Sequence, residues 1–123
     1  MRHWLILGSN HRRARSLRLA LGLLRDDFDL LDYAPARRTG GEPAYLNAGV
    51  LIASDVPEPA LRALLRQIES AAGRVRGAVT CTLDIDLVAS ELGEGTVRIH
   101  KPADLQRAYV RALLRELDLR IDL

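Results

Sequence analysis

The chain has 123 residues, 48% hydrophobic and 28% charged, with a formal net charge of +2. This length points to a single domain over residues 1–123 with a core of its own, and the balance excludes disordered, collagen-like and low-complexity classes. A single cysteine, Cys81, excludes a disulfide framework, and no apolar run nears the roughly 20 residues of a membrane span, so the expectation is a cytoplasmic protein with no membrane partner.

Residues 3–7, His-Trp-Leu-Ile-Leu, read as a short buried strand broken by Gly8-Ser9-Asn10, where Ser or Asn is expected to cap the following helix. Leu17, Leu19-Ala20-Leu21 and Leu23-Leu24 follow with broadly helical spacing, which predicts a helix over about 12–26. Residues 28–34 predict a second strand stopped by Pro35, then a polar loop from Arg37 to Pro43. Residues 45–53 predict a third strand. Pro57 and Pro59 open a second helix whose stripe is Leu61, Leu64, Leu65 and Ile68, with Gly73 as its stop. Residues 82–88 alternate with period two and predict a fourth strand. Gly93 and Gly95 mark a turn, Thr96 to Ile99 pair back as a hairpin, and one last helix is expected from about Pro102 to Leu117. The order is βαββαβ followed by a C-terminal helix. That is the α+β, ferredoxin-like layout, an antiparallel sheet with helices on one face.

The chemistry concentrates in a few places. On a strand, side chains two apart share a face, so Asp84 and Asp86 point one way and Leu83, Ile85 and Leu87 the other. Two adjacent carboxylates are either a solvated strand face or a seat for Mg²⁺, which takes one or two carboxylates together with water and substrate phosphate. Arg74 and Arg76 follow the second helix with strand-like spacing. They serve either as cations at a helix end or as a grip on phosphate. His100 and Arg107 bracket the start of the last helix, a second candidate anion site. Tyr45 and Asn47 share a strand face, and a ring beside an amide suits a flat heteroaromatic ligand. Cys81 has no triad partner near it in sequence and reads as a small apolar residue. The basic residues are nearly all arginine; Lys101 is the sole lysine.

Gly8-Ser9-Asn10, Tyr45-Leu46-Asn47-Ala48, Gln67-Ile68-Glu69 with Gly73-Arg74-Val75-Arg76, and Thr82-Leu83-Asp84-Ile85-Asp86-Leu87 occur in that order. As an ordered set they resemble the 6-hydroxymethyl-7,8-dihydropterin pyrophosphokinase family over about residues 4–115. The resemblance implies transfer of pyrophosphate from ATP to the hydroxymethyl group of a dihydropterin in folate biosynthesis, with two Mg²⁺ ions. It further implies Asp84 and Asp86 as metal-holding and catalytic residues and Arg74 as a catalytic arginine. Glu69, Arg76, His100 and Arg107 would be nucleotide- or phosphate-binding. Thr39, Tyr45, Asn47 and Tyr109 would be pterin-binding, with Tyr109 standing where the family has a stacking Phe.

The chain departs from the family in three places. The family loop ending Arg-Trp-Gly-Pro-Arg is replaced by the short Gly77-Ala78-Val79-Thr80-Cys81, the pterin-side loop after Thr39 is cut to Gly40-Gly41-Glu42-Pro43, and the C-terminal tail is shorter. The alternative function is therefore a nucleotide- or pterin-binding homologue with impaired catalysis and a regulatory role. A nucleic-acid module on the same layout is disfavoured. Such modules stack bases on sheet aromatics, whereas aromatics here are 4% and the fourth strand carries two carboxylates.

Overall fold

A computed structural model of the chain describes residues 1–40, 44–93 and 95–119. The elements are β1 (Arg2–Ser9), α1 (Arg13–Asp27), β2 (Asp29–Thr39), β3 (Tyr45–Ala53), α2 (Glu58–Ala71), β4 (Asp84–Glu91), β5 (Val97–Ile99), a 3₁₀ turn (Pro102–Gln106) and α3 (Ala108–Glu116). The strands form one sheet in the order β2-β3-β1-β4-β5, with every neighbouring pair antiparallel.

β1 is central and its run from His3 to Ser9 is buried throughout. A strand covered on both faces needs apolar residues at every position, which is why it reads as a continuous apolar run. Leu5 and Leu7 pack with Val50, Ile52, Ile85 and Leu87 beneath Leu17, Leu24, Leu61, Leu65 and Ile68 of α1 and α2. Trp4 and Ile6 face the opposite side, where Ala34, Leu51 and Val88 pack against Val110, Leu113, Leu114 and Leu117 of the C-terminal segment. The two crossover helices thus share one face, as expected, and α3 covers the other.

Two features seat α3. Trp4 Nε1 donates to the Leu117 carbonyl at 3.1 Å. Gly49 gives Leu117 room, since a Cβ there would lie 2.9 Å from Leu117 Cδ1. The helix covers the Trp4–Leu51–Val88 end of this face and leaves the end bearing Gly8, Asn47 and Asp84 open. A register shift in the β1–β4 pairing, between Trp4 and Leu5, marks the change along β4 from carboxylates to the apolar residues under α3.

Several expectations need correction. β2 does not stop at Pro35 but runs on, with Arg37, Arg38 and Thr39 paired to Asn47, Leu46 and Tyr45. It is an edge strand, and the register breaks between Ala34 and Arg37, so a proline lacking an N–H is tolerated there. Residues 41–43 of the expected loop lie outside the described residues. Neither Ser9 nor Asn10 caps α1. The cap is Arg12, at φ 48° and without a side-chain hydrogen bond. Asn10 instead accepts from Cys81 N at 2.6 Å and donates its own N–H to the Cys81 carbonyl at 3.0 Å, so it ties down the loop before β4. The last helix is interrupted: Arg107 is extended (φ −84°, ψ 121°) between the 3₁₀ turn and α3. Gly73 ends α2 as expected, at φ 100°, a conformation that glycine adopts without steric cost.

Candidate active site

The open end of the sheet is the floor of a cavity of about 510 Å³. Across β1, Gly8 pairs with Asp84 on one side and Asn47 on the other, while Ile6 pairs with Asp86 and Gly49. Asn47 is buried and its Nδ2 donates to Thr39 Oγ1 at 2.7 Å, which orients the amide. Gly8 leaves the space above it free: a Cβ there would lie 2.9 Å from Asn47 Oδ1 and 3.5 Å from the Tyr45 ring. Tyr45, Thr39, Asn47, Arg107 and Tyr109 all line the cavity together with both aspartates. Arg107 Nη1 lies 3.4 Å from Tyr109 Oη, a contact made possible by the helix interruption at Arg107. Burial raises the Tyr45 hydroxyl above its ordinary pKa, so it remains a hydrogen-bond donor at neutral pH. Cys81, beside it, is likewise raised by burial and is held as the neutral thiol.

A second cavity, of about 200 Å³, shares Asp84 and Asp86 with the first. It carries an excess of positive charge, with Arg62, Arg66, Arg74, Arg76 and Lys101 in its wall against Glu69, Asp84 and Asp86. Glu69 organises one side of it. Its side chain is 5% exposed and both carboxylate oxygens are engaged. Oε2 accepts from Arg74 Nη1 at 2.8 Å and from Ile85 N at 2.8 Å, and Oε1 accepts from Arg76 Nη2 at 3.1 Å. Arg74 Nη1 also reaches Asp84 Oδ1 at 2.9 Å. One buried carboxylate thus fixes the end of α2, both loop arginines and the start of β4.

Asp84 and Asp86 are half-buried. Burial first, then the neighbouring Asp84 carboxylate, push Asp86 above the usual carboxylate range. Among the described residues no cluster of three or more His, Cys, Asp or Glu side chains is arranged to hold a metal. Two adjacent carboxylates beside a cavity lined by arginines and a lysine nonetheless suit Mg²⁺, whose remaining ligands are ordinarily phosphate and water. The donor set therefore fits that ion.

His100 stands apart from both cavities. Its side chain is 2% exposed, Nε2 lies 2.8 Å from Ser90 Oγ, and Nδ1 lies 3.5 Å from Glu58 Oε1. Ser90 Oγ is also 2.7 Å from Nδ1 of buried His3. Burial is the main cause that holds both imidazoles below the ordinary histidine pKa. The unfolded chain takes up these protons near pH 6.5 and the fold resists them, so stability falls as the pH drops below about 6.5. Urea midpoints between pH 7.5 and 5.5 should decline, with each histidine contributing up to about 1.4 kcal/mol per pH unit until its folded-state pKa is reached. Replacing either histidine by Asn should flatten the profile. A wild-type midpoint that does not change with pH would show that these rings titrate normally.

Sequence reasoning missed Lys101, Arg62 and Arg66. The arginines sit at i and i+4 on α2, with Glu69 a further turn on, so helical spacing alone would have put all three on one face. Lys101 had only its uniqueness as a signal. It reaches Asp86 Oδ1 at 3.2 Å through the β5 return, a pairing that no local spacing encodes.

No helix among the described residues is long and apolar enough to cross a membrane. No curated protein matches the chain. The profile of the 7,8-dihydro-6-hydroxymethylpterin-pyrophosphokinase family matches residues 4–119. The chain belongs to that family.

Proposed function

We propose that this member of the pyrophosphokinase family moves the β- and γ-phosphoryl groups of ATP onto the hydroxymethyl oxygen of a dihydropterin, with AMP as the leaving group, in folate biosynthesis. One observation carries the reading: Asp84 and Asp86 lie where an aromatic, amide-lined cavity meets a cationic one. A flat heterocycle and a polyphosphate can thus be brought together at one pair of carboxylates.

In this reading Tyr45 and Tyr109 contact the pterin faces, and Asn47, oriented by Thr39, meets its polar edge. Asp84 and Asp86 hold Mg²⁺, which when bound supplies charge neutralisation on the phosphates. Arg74 neutralises charge on the transferring group, and Arg76 and Arg107 hold phosphate oxygens. Glu69, on the wall of the nucleotide cavity, acts through the two loop arginines that its carboxylate holds. His100, fixed on Ser90 and Glu58, supports the sheet edge. Catalysis by such a site rests on positioning and electrostatics.

The test is incubation with ATP, Mg²⁺ and 6-hydroxymethyl-7,8-dihydropterin, with mass spectrometry for AMP and the pterin diphosphate. Product that disappears with EDTA supports the reading. A second reading, a binding homologue without turnover, is favoured by one feature: no residue of 77–81 lines either cavity, and Val79 is 98% exposed. Ligand binding without AMP release would support that alternative. Within the first reading, Tyr45→Ala weakens pterin binding about tenfold, the magnitude of a lost aromatic contact, and leaves nucleotide affinity within about twofold. Calorimetry with each ligand separately checks this, and a parallel loss of nucleotide affinity would place Tyr45 in the other subsite.

A further inference from the structure

Two cations rest on the acidic pair, and they are held differently. Arg74 lies 2.9 Å from Asp84 Oδ1 but is also bonded to buried Glu69, so it keeps a partner whatever happens at Asp84. Lys101 Nζ lies 3.2 Å from Asp86 Oδ1, and among the described residues this is its one ion pair. Its side chain is 54% exposed and sits between β5 and the 3₁₀ turn, on a flexible stem with a compact charge that can turn to either cavity wall. It also lines the cationic cavity beside Arg62, Arg66 and Arg76.

Asp86 cannot keep Lys101 as its counter-ion and also bind a divalent cation at the same oxygen without mutual repulsion of the two positive charges. A displaced Lys101 has an anion-binding cavity beside it. We propose that Lys101 is the exchangeable counter-ion of Asp86: it neutralises the carboxylate in the metal-free protein, is displaced by the divalent cation, and then binds nucleotide phosphate. Metal and nucleotide binding are thereby coupled through one side chain. The coupling is reciprocal, so nucleotide that captures Lys101 also frees Asp86 for metal. This rests on the assignment of Asp84 and Asp86 as the metal-holding pair.

The test measures free Mn²⁺ by electron paramagnetic resonance, with Mn²⁺ standing for Mg²⁺, and nucleotide affinity by calorimetry with α,β-methylene ATP. Lys101→Met should bind Mn²⁺ alone about two- to fivefold more tightly than wild type, the range expected when an exposed ion pair no longer competes. It should bind the nucleotide analogue more weakly, so the two affinities move in opposite directions. Lys101→Arg should restore both towards wild type. A purely structural role for Lys101 would leave both affinities unchanged or lower both. Either result, or Mn²⁺ binding by Lys101→Met that is no tighter than wild type, overturns the proposal. Asp86→Ala separates the two levels. If it keeps wild-type Mn²⁺ affinity, the metal assignment itself fails. If it loses Mn²⁺ while Lys101→Met behaves as wild type, only the counter-ion exchange fails.

Discussion

Asp86→Asn and Asp84→Ala are expected to lower Mg²⁺-dependent formation of pterin diphosphate by about a thousandfold, the several kcal/mol that a divalent cation supplies to phosphoryl transfer. The same Asp86→Asn substitution should leave the metal-free protein as stable as wild type, or more so. Burial and the neighbouring Asp84 carboxylate raise Asp86, so its ionised form opposes folding above the ordinary carboxylate pKa, and a neutral amide removes that opposition. Lys101 offsets part of this cost, and the partial exposure of Asp86 screens the rest, so the gain in stability is small. The combination is diagnostic. A residue kept for structure loses stability when replaced, whereas one kept for chemistry loses activity alone. Steady-state kinetics and urea midpoints of the same preparations decide it. A drop in the midpoint together with residual activity would make the acidic pair a structural feature of β4.

Glu69→Ala should instead cost about 1–3 kcal/mol of folding stability, because it leaves the buried Ile85 N–H without its acceptor and takes one partner from Arg74. Three donors converge on this one carboxylate: Arg74, Arg76 and the Ile85 N–H. Without it Arg74 keeps only Asp84 and the distant Leu83 carbonyl, and the Ile85 N–H loses its acceptor inside the core. Activity should also fall, because Arg74 is no longer aimed. Glu69→Gln retains an acceptor for Ile85 but no charge for the arginines, so it should fall between wild type and Glu69→Ala. Urea denaturation at pH 7.5 measures both variants. A change in the midpoint worth less than about 1 kcal/mol for Glu69→Ala would mean that water replaces the carboxylate freely.

Much of the fold was legible because local periodicity survives tertiary packing. The alternation of Leu83, Ile85 and Leu87 with Asp84 and Asp86 set which residues go to the core and which to the open face, and the structure keeps that division. The run from Trp4 to Leu7 gave a strand buried on both sides. Boundaries failed where a distant partner decides them. β2 continues beyond Pro35 because β3 offers its ladder to Arg37, Arg38 and Thr39. Asn10 serves the Cys81 loop instead of the helix that follows it. The last helix breaks at Arg107, a position with no glycine or proline to announce it.

The candidate site divides in the same way. Tyr45 with Asn47, and Asp84 with Asp86, are pairs spaced two apart on one strand, so chain geometry alone placed each pair on one face. Which pairs meet depends on β1 lying between β3 and β4, with Gly8 bridging Asn47 and Asp84. The sequence by itself therefore determined the layout, the acidic pair and the family. Only the tertiary structure decided that Glu69 is a buried anchor, that His100 turns away to Ser90 and Glu58, and that Lys101 rests on Asp86. These depend on contacts between segments far apart in the chain, and such contacts leave no period in the sequence.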